Sequence, residues 1–330
     1  MKLINILSLV AVGALALTSC SKEDVNTPNL KDTPIIINAE VNGSIDSRAG
    51  YDNNNLPTNF TMHITQDSVS ANSPYNYYNV AMSYFNGSWS ANVTVPKMLW
   101  KSSTPNAKII AYNQDFEPTY GEALGTQDQV IYINANQTTS SLIASSDALY
   151  YSGKNINPDS NGKISIPFKH LLSKFDITWN YGSEYEGKNI SVTAVEVRNA
   201  STSSSGIALN GRFNYSTGKG NWSTVNGNAT PAANYATAIN ALVTPTENKA
   251  ELILTPTTYA DGLVIYFTAS VNGETKYFSL AIDAKKYNTT LTSNVKYNIT
   301  ATVGHDKVTI GSVTAFSWSS PIDGGNLTTE

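Results

Sequence analysis

The sequence predicts an all-β protein built as two tandem β-sandwich domains. Apolar residues recur with period two in short runs, turn residues separate the runs, and strands follow one another at about 8 to 12 residues, as in sandwiches. Beyond the N-terminus only KHLLSK (169–174) has a helical look, and it is too short for more than a turn of helix.

Each element can be read in order. PIIINAEV (34–41) sets Ile35, Ile37, Ala39 and Val41 on one face. NFTMHIT (59–65) does the same with Phe60, Met62 and Ile64, which leaves His63 between them, pointing outward. YYNVAMSYFNGSWSANVTV (77–95) is a hairpin, because Asn86-Gly87 supplies the positive φ values of a tight turn. AKIIAYN, QVIYIN and DALYYSG complete a first domain, 34–153. The loop SGKNINPDSNGK (152–163), rich in Gly, Asn, Pro and Ser, marks the boundary. The second domain, 154–330, repeats the style without repeating the sequence, through KISIPF, KFDITWN, ISVTAVEV, IALNGRFNY, AELILTP, LVIYFTASV, TKYFSLAI, KYNITATV and VTIGSVTAFSW. Asn272-Gly273 is its clearest hairpin turn.

Ahead of the strands, Lys2 precedes a 15-residue apolar run at 3–17. A spanning helix needs about 20 residues, so the run suits a secretory signal. Leu17-Thr18-Ser19-Cys20 resembles the bacterial lipobox, in which the thiol of the cysteine takes a diacylglycerol. Cys20 is the single cysteine, so no intrachain disulfide forms. Residues 1–19 are thus expected to be a signal peptide, and 20–33 a polar tether with Glu23 and Asp24 just behind the lipid. Acids just after the lipidated cysteine resemble the surface-export signal of Bacteroidota lipoproteins, and that resemblance implies a place on the outer membrane surface, held by the lipid anchor.

Charge narrows the function. Charged residues make up 14% of the chain and the net charge is −4. The lysines are scattered without a basic face, which argues against nucleic acid as a partner. Catalytic constellations are missing too. His63, His170 and His305 stand far apart and outside any HExxH, so no metal and no cofactor is expected. His170, beside Phe168, Leu171 and Leu172, reads as a packing residue. Gly218-Lys219 fails as a P-loop, which needs glycine where Phe213 stands and Ser or Thr where Gly220 stands. Asn157, Asp159 and Asn161 before Gly162 have calcium-loop spacing, but Phe168 occupies the position of the bidentate carboxylate. Tyr75, Tyr77 and Tyr78 offer flat faces for sugars, against the plainer reading of tyrosines packing across a sheet. Asp67-Ser68-Val69 resembles the O-glycosylation motif of Bacteroidota secreted proteins, with Ser68 as acceptor.

Several stretches together resemble the fimbrillin family, the subunits of type V pili and related surface lipoproteins of Bacteroidota. They are the lipobox and tether, the first strand ending near Arg48-Ala49, AKIIAYN and SDALYYSG, and IPFKHLLSKFDITW (166–179). LNGRFNYSTGKGNW (209–222) and the closing LTSNVKYNITATVGHDKVTIGSVTAFSW (291–318) complete the order. The resemblance implies transthyretin-like topology in both sandwiches and a structural, adhesive and non-enzymatic role. It also implies cutting by a trypsin-like protease between Arg48 and Ala49, which releases the lipid and the first strand (Ile35, Ile37, Ala39, Val41). A neighbouring subunit's strand would fill the vacated groove. Here the candidate donor is 309–318, with Ile310, Val313, Ala315, Phe316 and Trp318. The tail beyond it holds Pro321 and Gly324-Gly325, which suit a loop better than a strand. A tip or accessory subunit, and a non-polymerising lipoprotein that binds surface glycans or proteins, stay open beside the stalk subunit. Expected partners are other fimbrillin-type subunits.

Overall fold

A computed structural model describes residues 29–41, 50–70, 72–92, 97–114, 129–201, 206–215, 218–221 and 235–318. Cys20, Arg48 and Ala49 lie outside them. The expectation of an all-β chain holds. The first strands are β1 (Ile36–Val41), β2 (Asn59–Thr65), β3 (Tyr77–Phe85), β4 (Ser88–Ala91), β5 (Ala107–Tyr112) and β6 (Gln129–Tyr132). A short helix α1 (Ser140–Ser146) precedes β7 (Leu149–Ile156), β8 (Lys163–His170), β9 (Ser173–Tyr181) and β10 (Ile190–Asn199). Short strands β11 (Ile207–Ala208), β12 (Asn210–Asn214), β13 (Lys219–Asn221), β14 (Tyr235–Ala236), β15 (Ile239–Asn240) and β16 (Leu242–Thr244) follow. The chain then runs through β17 (Lys249–Leu254), β18 (Leu263–Val271), β19 (Glu274–Ile282), β20 (Val295–Val303) and β21 (Val308–Ser317).

A seven-stranded sheet has the order β1-β8-β7-β5-β2-β3-β4. The C-terminal part sets a five-stranded sheet, β16-β17-β9-β20-β21, against a four-stranded one, β15-β10-β18-β19. Both Asn-Gly hairpins form as expected. Asn86 and Gly87 have φ of 50° and 79°, and Asn272 and Gly273 have 51° and 89°, the pair of positive angles a two-residue turn with the right twist requires.

Two apolar clusters result. One lies under the seven-stranded sheet and takes in β1, Phe60, Met62, Ile109, Ala111, Ile164, Ile166 and Phe168. The other fills the C-terminal sandwich and reaches back to Ile110, Tyr112, Ile131 and Ile143. Strand β5 therefore feeds both, with Ile109 and Ala111 on one face and Ile110 and Tyr112 on the other.

That two-sided burial overturns the outward reading of His63. The ring is 3% exposed, stacked on Tyr112 at 5.8 Å, with Nε2 at 3.2 Å from the Tyr112 hydroxyl and Nδ1 accepting the Asn79 N–H at 3.2 Å. Period two marks the strand, and a second layer covers its supposed outer face.

The boundary loop also sits differently from its expected place. The 153/154 division falls inside β7, and β8 beyond the loop joins the seven-stranded sheet beside β1 and β7. Conversely, β6 pairs antiparallel with β12 of the C-terminal part. KHLLSK is not helical: His170 ends β8, Leu171 and Leu172 turn the corner, and Ser173 starts β9. The helix lies instead in SSLIASS, capped by the Thr139 side chain on the Leu142 N–H, with Ile143 buried.

Candidate functional site

The first strand and its seat form the candidate site. Strand β1 runs parallel to β8 in the register Ile37↔Ile164, Ala39↔Ile166 and Val41↔Phe168, so its buried face meets the buried face of β8 residue for residue. Phe60 lies edge-on to Phe168 at 5.2 Å and to Trp89 of β4 at 4.5 Å, which makes an aromatic floor between β8 and β4. Strand β1 is in contact with β4 as well as paired with β8. Burying each Ile or Val of this strand contributes about 1.5–3 kcal/mol, so the seat is apolar enough to hold a strand firmly.

The strand enters through a clip. Asp32 N–H donates to the Trp100 carbonyl at 2.8 Å, Trp100 N–H to the Thr33 carbonyl at 3.0 Å, and Ile35 N–H to the Met98 carbonyl at 2.9 Å. Trp100 Nε1 and Ile36 N–H both donate to the Gly162 carbonyl. Gly162 has φ +80°, and a Cβ there would sit 2.9 Å from the Pro34 carbonyl oxygen and 3.0 Å from Trp100 Nε1, so glycine is required at this crossing. At its far end, Val41 N–H donates to Asn53 Oδ1 at 3.0 Å.

Strand β8 has few other ties. Among the described residues it pairs with β7 at Leu149↔His170 and Tyr150↔Lys169, and Pro167, which carries no N–H, stands outside that short ladder. Taking β1 away would leave most of the other edge of β8 without backbone partners, and such an edge is a template for another strand.

Behind the strand the chain leaves the described residues and returns at Gly50, which is buried. Tyr51 N–H donates at 2.8 Å to Oδ2 of Asp147, and burial, reinforced by that carboxylate, raises the Tyr51 phenol above its ordinary range. Asp147 Oδ1 is 2.8 Å from His170 Nδ1, and neither side chain is exposed. The His170 ring lies on the Trp318 indole at 3.5 Å, with 1° between the planes. His170 is thus a packing residue with a partner that the sequence does not reveal. Nearby Lys174, also fully buried, holds Glu251 at 2.7 Å; burial opposes its charge, but Asp176 and Glu251 outweigh burial and raise its pKa. Asp147, Lys174 and Glu251 carried no local signal, since isolated charges in strand patterns read as solvent-facing.

The other singled-out residues have plain roles. Tyr75 donates to Asp32 Oδ1 at 2.6 Å and Tyr77 accepts the Leu99 N–H at 2.8 Å, so both brace the clip, while Tyr78 is about half exposed. Asp159 accepts the N–H groups of Asn161 and Lys163, an ordinary turn that holds its carboxyl below the usual range. Gly218-Lys219 lies at the β12–β13 turn. Ser68 is exposed in a turn made by Asp67, whose carboxylate accepts the Val69 and Ser70 N–H groups. His305 is exposed beside Asp306. Among the described residues no group of three or more His, Cys, Asp or Glu could hold a metal ion.

The candidate donor is engaged already. Strand β21 pairs with β20 from Val295↔Ser317 to Val303↔Val308, with a bulge near Gly311. Ile310, Val313 and Ala315 pack on the C-terminal cluster, and Trp318 turns onto His170. The bulge and the alternation after it leave Phe316 on the opposite face from Val313 and Ala315.

The described residues thus form an all-β protein whose first strand lies at the edge of its sheet and pairs with β8. The family is then shown directly: residues 47–318 match the fimbrillin-like family profile, and the chain belongs to that family. Among solved structures, a candidate cell adhesion protein from Bacteroides ovatus aligns with TM-score 0.59 and 16% identity, covering 87% of this chain and 98% of that one. One from Bacteroides uniformis gives 0.57 and 16% over the same shares. The tip fimbrial protein Mfa3 from Porphyromonas gingivalis matches at TM-score 0.42 and 9% identity, over 79% of this chain and 94% of that one. No curated protein sequence matches significantly.

Proposed function

We propose that this protein is a structural, adhesive subunit of a surface fimbria. It is exported as a lipoprotein on Cys20, matured by cutting after Arg48, and assembled when a strand from another subunit takes the place of β1. Family membership supports the fimbrial or adhesive role and the cell-surface location. The observation that supports strand replacement is the seat of β1, an edge strand that buries Ile37, Ala39 and Val41, with Ile35 just before it, and that among the described residues ladders to β8 alone. One cut between 41 and 50 would sever the covalent link between this strand and the rest of the chain, and once the strand leaves, the apolar groove and free edge of β8 would favour a replacement strand.

Strand β21 would have to leave β20 and the C-terminal cluster before serving a neighbour. This favours a second reading, in which the chain accepts a strand but donates none and stands at an end of the fibre or as an accessory subunit.

Limited digestion with a trypsin-like protease tests the reading. Cutting after Arg48 should yield oligomers by light scattering, and Arg48→Ala should stay uncut there and monomeric. A chain cut at that bond that remains monomeric, with β1 still bound, would refute strand replacement.

A further inference from the structure

The two chain segments that matter most for assembly meet at one buried pair. The Asp147 carboxylate holds the Tyr51 backbone N–H with Oδ2 and the His170 ring with Oδ1, both at 2.8 Å. His170 in turn carries the Trp318 indole face to face at 3.5 Å. Trp318 N–H donates to the Asn294 carbonyl at 2.7 Å, and Asn294 Oδ1 accepts the His170 N–H at 3.3 Å, which ties the end of β21 to β8 a second time. Gly50 closes the arrangement. It is buried with φ +92°, and a Cβ there would lie 3.0 Å from Asp147 Oδ2 and 3.7 Å from Trp318 Cζ2. The segment just behind the proposed cut therefore covers both the carboxylate and the indole.

We propose that Asp147 and His170 form a latch through which residues 50–51 hold the end of β21 in place, so that loosening the first loosens the second. Before the cut, residues 50–51 lie mid-chain between two anchored segments. After it they are the second and third residues of a new chain, and ends fray unless tied down. Each fraying event takes the Tyr51 N–H from Asp147 and uncovers Trp318. Coupling of this kind is reciprocal, so withdrawing Trp318 also frees Gly50 and Tyr51. The latch would let processing at one end of the chain prepare the strand near the other end. This inference rests on the proposed cut for its use, and on the described residues for its geometry.

The test is made on the uncut full chain, by hydrogen exchange resolved to peptides. Gly50→Ala puts a methyl group against Asp147 and Trp318 and strains a positive φ. It should speed amide exchange over 313–318 by about tenfold, within the usual range of coupling between sites. Exchange over β1 and over the β18–β19 hairpin should stay at the wild-type rate. Asp147→Asn, which keeps the volume and removes the charge, serves as the second variant and should act in the same direction if Gly50→Ala does not fold. Wild-type exchange over 313–318 in a folded variant overturns the latch. Oligomer formation after cutting is a separate readout, so loss of assembly with the latch intact, or the reverse, tells the two proposals apart.

Discussion

His63 has a consequence for pH. Its ring sits between Tyr112 and Asn79, and burial pushes its pKa down to about 4. In the unfolded chain it titrates near 6.5. A depressed folded pKa means that the unfolded state takes up the proton first as pH falls. The stabilisation is therefore complete above about pH 6.5 and is lost between there and pH 4, with a total on the order of 3 kcal/mol. His63→Gln, which keeps an acceptor for the Asn79 N–H, should flatten that part of a urea-midpoint profile. An unchanged slope would show that other groups set it. Residue identity alone misplaced this histidine, because alternation in a strand says which residues share a face and nothing about whether a second layer covers the other. The same gap hid Asp147 and Lys174, whose partners come from strands 23 and 77 residues away.

At the scale of elements, the strands and hairpin turns were legible because their causes are local. Alternation comes from neighbouring side chains, and an Asn-Gly pair adopts its positive φ values wherever it stands. Helix α1 was not legible, since SSLIASS is short, rich in serine, and stabilised by a cap and by burial of Ile143 rather than by propensity. The partner of β1 was not legible either. Its ladder with β8 is parallel and joins segments more than 120 residues apart, and such pairing leaves no mark between neighbours in the chain. The strand itself yields a prediction. Ile37→Ala should lower the stability of the uncut chain by about 2–5 kcal/mol, as a large-to-small change in a core does. Once the chain is cut and the strand has gone, the same substitution should leave the unfolding midpoint at the wild-type value. A difference between the two cut proteins would mean that residue 37 stays bound.

For the molecule as a whole, the two apolar clusters share β5, and elements cross between the parts. β8 serves the N-terminal sheet from beyond the boundary loop, and β6 pairs with β12. Gln137 exchanges two hydrogen bonds with the Ile253 backbone at 2.7 and 2.8 Å, which adds a side-chain rung to β17. The aromatic contacts of Tyr112 with Tyr215, and of Tyr150 with Phe213, join the same parts. A loop composition can show where the chain turns, but it cannot show which sheet the next strand enters. The resemblance named the family correctly because it rests on the order of many weak motifs rather than on one site.

If β1 is a replaceable strand, its groove accepts another in its place. The most direct measurement is calorimetric titration of the cut, strand-free protein with a synthetic peptide of residues 34–41. Binding at one peptide per chain is expected, with loss of any oligomers as the groove fills and weaker binding when Val41 of the peptide is replaced by Asp. A folded, strand-free protein that takes up no peptide and forms no oligomers would contradict it.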